Sequence, residues 1–127
     1  MYSAILLDHF EHPRNTGDLP EANVRVRVEN PVCADVLELS LVVLDGKIDD
    51  IRFKAKGCVP SVACASLLSE LVRGHLILEV TITEAELING LGGLPQASTH
   101  AARLALDAFK KAQREAARIK ISAARND

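Results

Sequence analysis

Asp35-Val36-Leu37-Glu38-Leu39-Ser40-Leu41-Val42-Val43-Leu44, then Asp45-Gly46, then Lys47-Ile48-Asp49-Asp50-Ile51-Arg52-Phe53-Lys54-Ala55 is the stretch on which the fold turns. Its first run sets Leu37, Leu39, Leu41 and Val43 on one face, and its return run sets Ile51 and Phe53 on one face, the two-residue period of half-buried strands. Asp-Gly between two such runs is a strong signal for a tight hairpin. Upstream, Val24-Arg25-Val26-Arg27-Val28 alternates strictly and predicts a further strand. Tyr2, Ile5, Leu6 and Phe10 predict a short amphipathic helix, ended by Pro13 and the Asn15-Thr16-Gly17 turn.

Downstream of Pro60 the period changes. Val62, Ala63, Ser66, Leu67, Glu70 and Leu71 recur at helical spacing, Pro60 suits a first-turn position, and Gly74 stops the helix. Thr83 with Glu86 forms a capping box for a short helix to about Asn89. Gly90, Gly92 and Gly93 read as a loop. A long helix follows, from Pro95 or Ser98 to Ile119, with Ala101, Leu104, Ala105, Ala108 and Phe109 as its apolar stripe. The tail from Ser122 to Asp127 is expected to fray. Strands followed by helices define an α+β fold: a three-stranded antiparallel sheet with helices packed on one face and the long C-terminal helix as the main cover. At 127 residues, the whole of 1–127 is expected to form one domain.

Composition narrows the function. Apolar residues at 48% and charged residues at 25% are ordinary for a soluble globular chain. A net charge of −2 argues against nucleic acid or an anionic membrane as the main partner. With no Trp, one Tyr and three Phe, a stacking platform for single-stranded nucleic acid is hard to build. No early segment reads as a signal peptide, and apolar runs such as Leu39 to Leu44 are too short to span a bilayer, so a cytoplasmic location is expected. Three cysteines, an odd number, fit poorly with a disulfide framework. There is no Gly-x-Ser-x-Gly elbow, P-loop or dinucleotide fingerprint, and the chain is not expected to be an enzyme.

The chemistry gathers in two short cysteine segments, Asn30-Pro31-Val32-Cys33-Ala34-Asp35 and Lys56-Gly57-Cys58-Val59-Pro60-Ser61. Cys33 precedes the first hairpin strand and Cys58 follows the second. Because hairpin partners run antiparallel, Cys33, Asp35 and Cys58 are brought to the same end of the sheet. Cys58 also immediately precedes a helix, where unpaired N–H groups and the helix dipole favour a thiolate, and Gly57 would permit a sharp backbone turn. A third segment, Leu94-Pro95-Gln96-Ala97-Ser98-Thr99-His100-Ala101, supplies an imidazole. Two thiols, a carboxylate and an imidazole make a four-ligand set for a soft metal. From the residues alone, Asp35 also reads as a turn carboxylate and His100 as a polar helix-start residue. Cys64 reads as core packing. His9 and His12 read as surface residues, and His75 as a helix-end residue.

These segments, in this order, resemble the NifU/IscU-type family of iron–sulfur cluster assembly scaffolds. The likeness extends over the Asp8-His9-Phe10-Glu11-His12-Pro13-Arg14-Asn15 opening, both cysteine segments, and Leu94-Pro95 to His100 followed by Leu104-Ala105 and Asp107-Ala108. The resemblance implies a transient [2Fe–2S] cluster, iron or zinc held at Cys33, Asp35, Cys58 and His100, with Cys58 as a candidate sulfur acceptor. It implies a cysteine desulfurase and apo iron–sulfur acceptor proteins as partners, and a monomer or weak homo-oligomer. The chain departs from the family in several places. Ala101 stands where the family has its third cysteine, a main acceptor of sulfur in related scaffolds, and Ala34 stands where it usually has Gly. Leu94-Pro95-Gln96-Ala97-Ser98 replaces a Leu-Pro-Pro-Val-Lys motif, which weakens the case for an Hsp70-type chaperone partner. The glycine-containing insertion of the SufU-like branch is absent before Leu94. Three readings follow: a cluster scaffold and carrier; a zinc-binding or persulfide-relay protein; and a metal-free interaction module. Two thiolates with two imidazoles hold [2Fe–2S] centres in Rieske sites, so two thiols do not exclude a cluster.

Overall fold

The computed structural model describes residues 1–31 and 34–125, with side chains as far as Lys120. The elements follow in the order α1 (Ala4–Glu11), β1 (Val24–Asn30), β2 (Asp35–Leu44), β3 (Lys47–Lys56), α2 (Val59–Val72), α3 (Glu84–Gly90), a 3₁₀ turn (Gln96–Ser98) and α4 (Thr99–Arg125). The strands form one antiparallel sheet in the order β1-β2-β3, and the α+β expectation holds.

Asp45 (φ 53°) and Gly46 (φ 79°) are both left-handed, as a two-residue turn that matches strand twist requires. The ladder slips between Val42, which pairs with Asp50, and Val43, which pairs with Ile48, leaving Asp49 as an extra residue. That bulge lets Ile48, Ile51 and Phe53 all face inward despite the odd spacing of the first two. The sequence pattern had marked only Ile51 and Phe53.

One face of the sheet buries Val24, Val26, Leu37, Leu39 and Leu41 with those three residues, and α2 and α4 cover it. Burial along α4 includes the expected Ala101, Leu104, Ala105, Ala108 and Phe109, and extends to Ala102, Leu106, Ala112 and Ala116. The many alanines keep the helix close to the strands. α4 starts at Thr99 and runs past the expected end at Ile119, its backbone staying helical to Arg125; the remainder of the expected frayed tail lies outside the described residues.

α2 differs most from its sequence pattern. Val62, Leu67 and Leu71 are only partly buried and Glu70 is exposed, whereas Ser61, Ala63, Cys64, Ala65, Ser66, Leu68, Ser69 and Val72 are buried. α1, β3, α3 and α4 all pack on it, so it is enclosed on several sides and its stripe is masked. The N-terminal segment docks through polar groups. The Arg14 amide donates to Ser66 Oγ (3.0 Å) and Asn15 Nδ2 to Ser69 Oγ (3.0 Å). The segment also stitches the outer edge of β3: the Phe53 amide donates to the Asn15 carbonyl (2.9 Å) and the Gly17 amide to the Phe53 carbonyl (3.0 Å). At the other end of that edge the Ile48 amide donates to the His75 carbonyl (2.9 Å) and the Gly74 amide to the Ile48 carbonyl (2.8 Å).

Candidate metal centre

Register brings the site together. Asp35 opens β2 opposite Asn30, and Val36 pairs with Lys56 at the end of β3. The chain leaving β3 therefore carries Gly57 and Cys58 past the Asp35 side chain. Cys58 is the N-cap residue of α2, with Pro60 in the first turn, so the positive end of that helix is aimed at the site. His100 enters from the first turn of α4, which the 3₁₀ turn at Gln96–Ser98 feeds onto the same end of the sheet.

Ligand atoms of Asp35, Cys58 and His100 all lie within 4.8 Å of one another. Asp35 is buried, and Cys58 and His100 are half-buried. Oδ2 of Asp35 is the hub. It lies 3.6 Å from Cys58 Sγ, 3.6 Å from His100 Nε2 and 2.8 Å from the Ser61 hydroxyl. Cys58 Sγ lies 3.9 Å from His100 Nε2. His100 Nδ1 sits 3.2 Å from the Ala97 carbonyl. A carbonyl only accepts, so that contact puts a proton on Nδ1 and turns Nε2 toward the sulfur and the carboxylate, the orientation a metal-binding imidazole needs.

Of the expected set, Asp35, Cys58 and His100 converge. Cys33 lies outside the described residues. Its neighbour Ala34 holds a left-handed backbone (φ 57°), the conformation glycine adopts without strain. Gly57 sits at a bend of the backbone, as expected, without a left-handed conformation, and a Cβ there would come within 2.5 Å of Asp35 Oδ1. Its bare Cα is what lets the carboxylate approach. Ala101 is buried in the core beside His100. Cys64 is fully buried, and burial first, then the neighbouring Cys58, push its thiol up to about 12, so it packs and does not ligate.

Two residues escape sequence reasoning. Ser61, buried one helical turn after Cys58, places its hydroxyl between Sγ (3.1 Å) and Asp35; the only signal was its spacing in Cys58-Val59-Pro60-Ser61. His9, expected at the surface, is buried against α2, with Nδ1 2.8 Å from Ser66 Oγ and Nε2 3.6 Å from Glu70. The i, i+3 pattern of α1 omitted it because its contact is polar. His12 is exposed as expected. Away from the site, an apolar concavity of about 570 Å³ opens between the Asp45-Gly46 turn, Leu76 and Ile119. Among the described residues it holds no cluster of ligating side chains.

This α+β protein gathers sulfur, carboxylate and imidazole, side chains that could hold a metal ion, at one end of its sheet under a helix N-terminus. The chain belongs to the family of the NifU-like N terminal domain, which matches residues 1–122. It is 39% identical over 113 residues to the iron–sulfur cluster assembly scaffold protein IscU 1 of Archaeoglobus fulgidus, spanning 88% of this chain and 74% of that one. It is 37% identical over 115 residues to the iron–sulfur cluster assembly scaffold protein IscU of Haemophilus influenzae, spanning 87% and 91%. The N-terminal part of a nitrogen-fixing NifU-like protein from Brucella abortus shares the fold, with a TM-score of 0.72 at 16% identity over 89% of this chain and 92% of that one.

Proposed function

We propose that this protein is an iron–sulfur cluster assembly scaffold, which receives iron and sulfur, holds the nascent cluster at the end of the sheet and hands it to acceptor proteins. The observation that carries this is the convergence of Asp35, Cys58 and His100 within 4.8 Å, in a chain whose relatives are named as such scaffolds. Cys33 supplies the second thiolate of the proposed set. A [2Fe–2S] cluster bound by Cys33, Cys58, His100 and Asp35 is the cargo we favour, since mixed sulfur and nitrogen ligation of such centres is chemically sound. Cys58, half-exposed at a helix start, is the proposed sulfur acceptor in place of the cysteine that Ala101 replaces, with a cysteine desulfurase as donor. The protein carries cargo and turns over no substrate of its own. Among the described residues no helix is long and apolar enough to cross a membrane, and we place the work in the cytoplasm.

Anaerobic reconstitution with iron, sulfide and thiol tests this reading. The wild type is expected to gain visible absorbance and matched iron and acid-labile sulfide, and Cys58→Ala to lose both. Less than one iron per several chains in the wild type would sink it. Zinc is the second reading, favoured by the mixed sulfur, oxygen and nitrogen donors, which suit a tetrahedral ion. Zinc alone in air-free protein, with iron and sulfide appearing only in Ala101→Cys, would establish it instead.

A further inference from the structure

Ser61 lies outside the ligand set, yet its hydroxyl makes the shortest contact to the hub of the site. It is 4% exposed, and its Oγ donates to Asp35 Oδ2 at 2.8 Å. Its position in the first turn of α2, three residues after the N-cap Cys58, fixes that oxygen relative to the sulfur, 3.1 Å away. The opposite oxygen of the carboxylate, Oδ1, lies against Gly57 at the place a Cβ would occupy. Asp35 is therefore bonded by a hydroxyl at Oδ2, while its Oδ1 fills the space that glycine leaves at Gly57.

We infer that Ser61 is a positioning residue for the cargo metal, acting through Asp35. A carboxylate oxygen carries two lone pairs. Ser61 occupies one, which leaves the other directed between Cys58 Sγ and His100 Nε2, each 3.6 Å from Oδ2. Removing the hydroxyl frees the carboxylate to rotate about its terminal torsion, whose preference is broad, and the metal must then order it on binding. Hydrogen-bonding partners of ligating carboxylates typically contribute 10- to 100-fold in metal affinity. This inference rests on the metal-binding reading of the site and adds to it a residue from the Cys58-x-x-Ser61 spacing.

Air-free titration of the full chain with Co²⁺ tests it, because thiolate-to-cobalt absorption reports the sulfur and its neighbours directly. Ser61→Ala is expected to weaken Co²⁺ binding by about tenfold or more and to shift the charge-transfer band, while the metal-free protein keeps its native circular dichroism. Ser61→Thr, which keeps the hydroxyl, is expected to restore both affinity and band. In an Asp35→Ala background, Ser61→Ala should have no further effect, since its route to the metal is gone. An unchanged dissociation constant and spectrum in Ser61→Ala, or an equal loss with and without Asp35, overturns the inference and leaves the metal site standing. A wild-type chain that takes up neither Co²⁺ nor iron overturns the site and the inference together.

Discussion

At the scale of single residues, the site is a matter of what two small side chains permit. Ala34 sits at φ 57°, where the family resemblance leads one to expect glycine. A Cβ there costs about 1–2 kcal/mol, and glycine's greater freedom in the unfolded chain takes back about 0.5–1 kcal/mol. Ala34→Gly should therefore stabilise the protein by roughly 0.5–1 kcal/mol, read as a higher urea midpoint at unchanged slope. Gly57 works in the opposite sense: Gly57→Ala sets a methyl 2.5 Å from Asp35 Oδ1. The carboxylate must move, and Co²⁺ affinity should fall by about tenfold or more while the circular dichroism stays native. Asp35, Cys58 and His100 were legible because each stands in a short segment of recognisable chemistry. Ser61 and His9 were not, because a hydroxyl or imidazole inside a helical run looks alike whether it meets water or a buried partner across the fold.

At the scale of elements, the hairpin was the easiest part to read and α2 the hardest. Asp45-Gly46 between alternating strands has few competing solutions, whereas the bulge at Asp49 left no mark beyond an odd spacing of Ile48 and Ile51. A helix covered on several sides shows no clear stripe. Its serines look like surface residues until the docking of Arg14, Asn15 and His9 onto Ser66 and Ser69 is seen. Ser66→Ala leaves the part-buried Arg14 amide and the buried His9 ring without their partner and should cost about 1–3 kcal/mol, as measured by denaturant unfolding. A cost under about 0.5 kcal/mol would show that water replaces the hydroxyl freely. Phe109→Ala, which empties a fully enclosed position between α4 and the sheet, should cost about 3–5 kcal/mol.

At the scale of the whole molecule, acid is the condition to which the fold is most exposed. His9 is held below its ordinary value of 6.5, first by burial and then by the Arg14 guanidinium, against the opposing pull of Glu70 and Asp8. The folded protein thus prefers the neutral ring, and the unfolded chain takes up the proton first. Stability is full above pH 6.5 and declines as pH falls through the folded value. Asp18, bonded to Arg25, the Leu19 amide and Ser40, is held down to about 2 from an ordinary 3.8, so its contribution is lost in a second, lower window between those values. A urea midpoint followed from pH 8 to pH 2 should fall in two stages, and His9→Gln should flatten the upper one; an undiminished upper stage in that variant would assign it elsewhere. The stitching along β3 has a consequence for how the molecule behaves in a crowd. A three-stranded sheet offers two open borders to any passing strand, and such borders are where chains add to one another. Here one border is tied at both ends by Asn15 and Gly17 and by Gly74 and His75. The other is lined with Arg25, Arg27 and Glu29, and Lys111 reaches across to occupy the Arg27 carbonyl. Both borders are thus tied or charged, while the Cys58 sulfur at the end of the same sheet stays half-exposed.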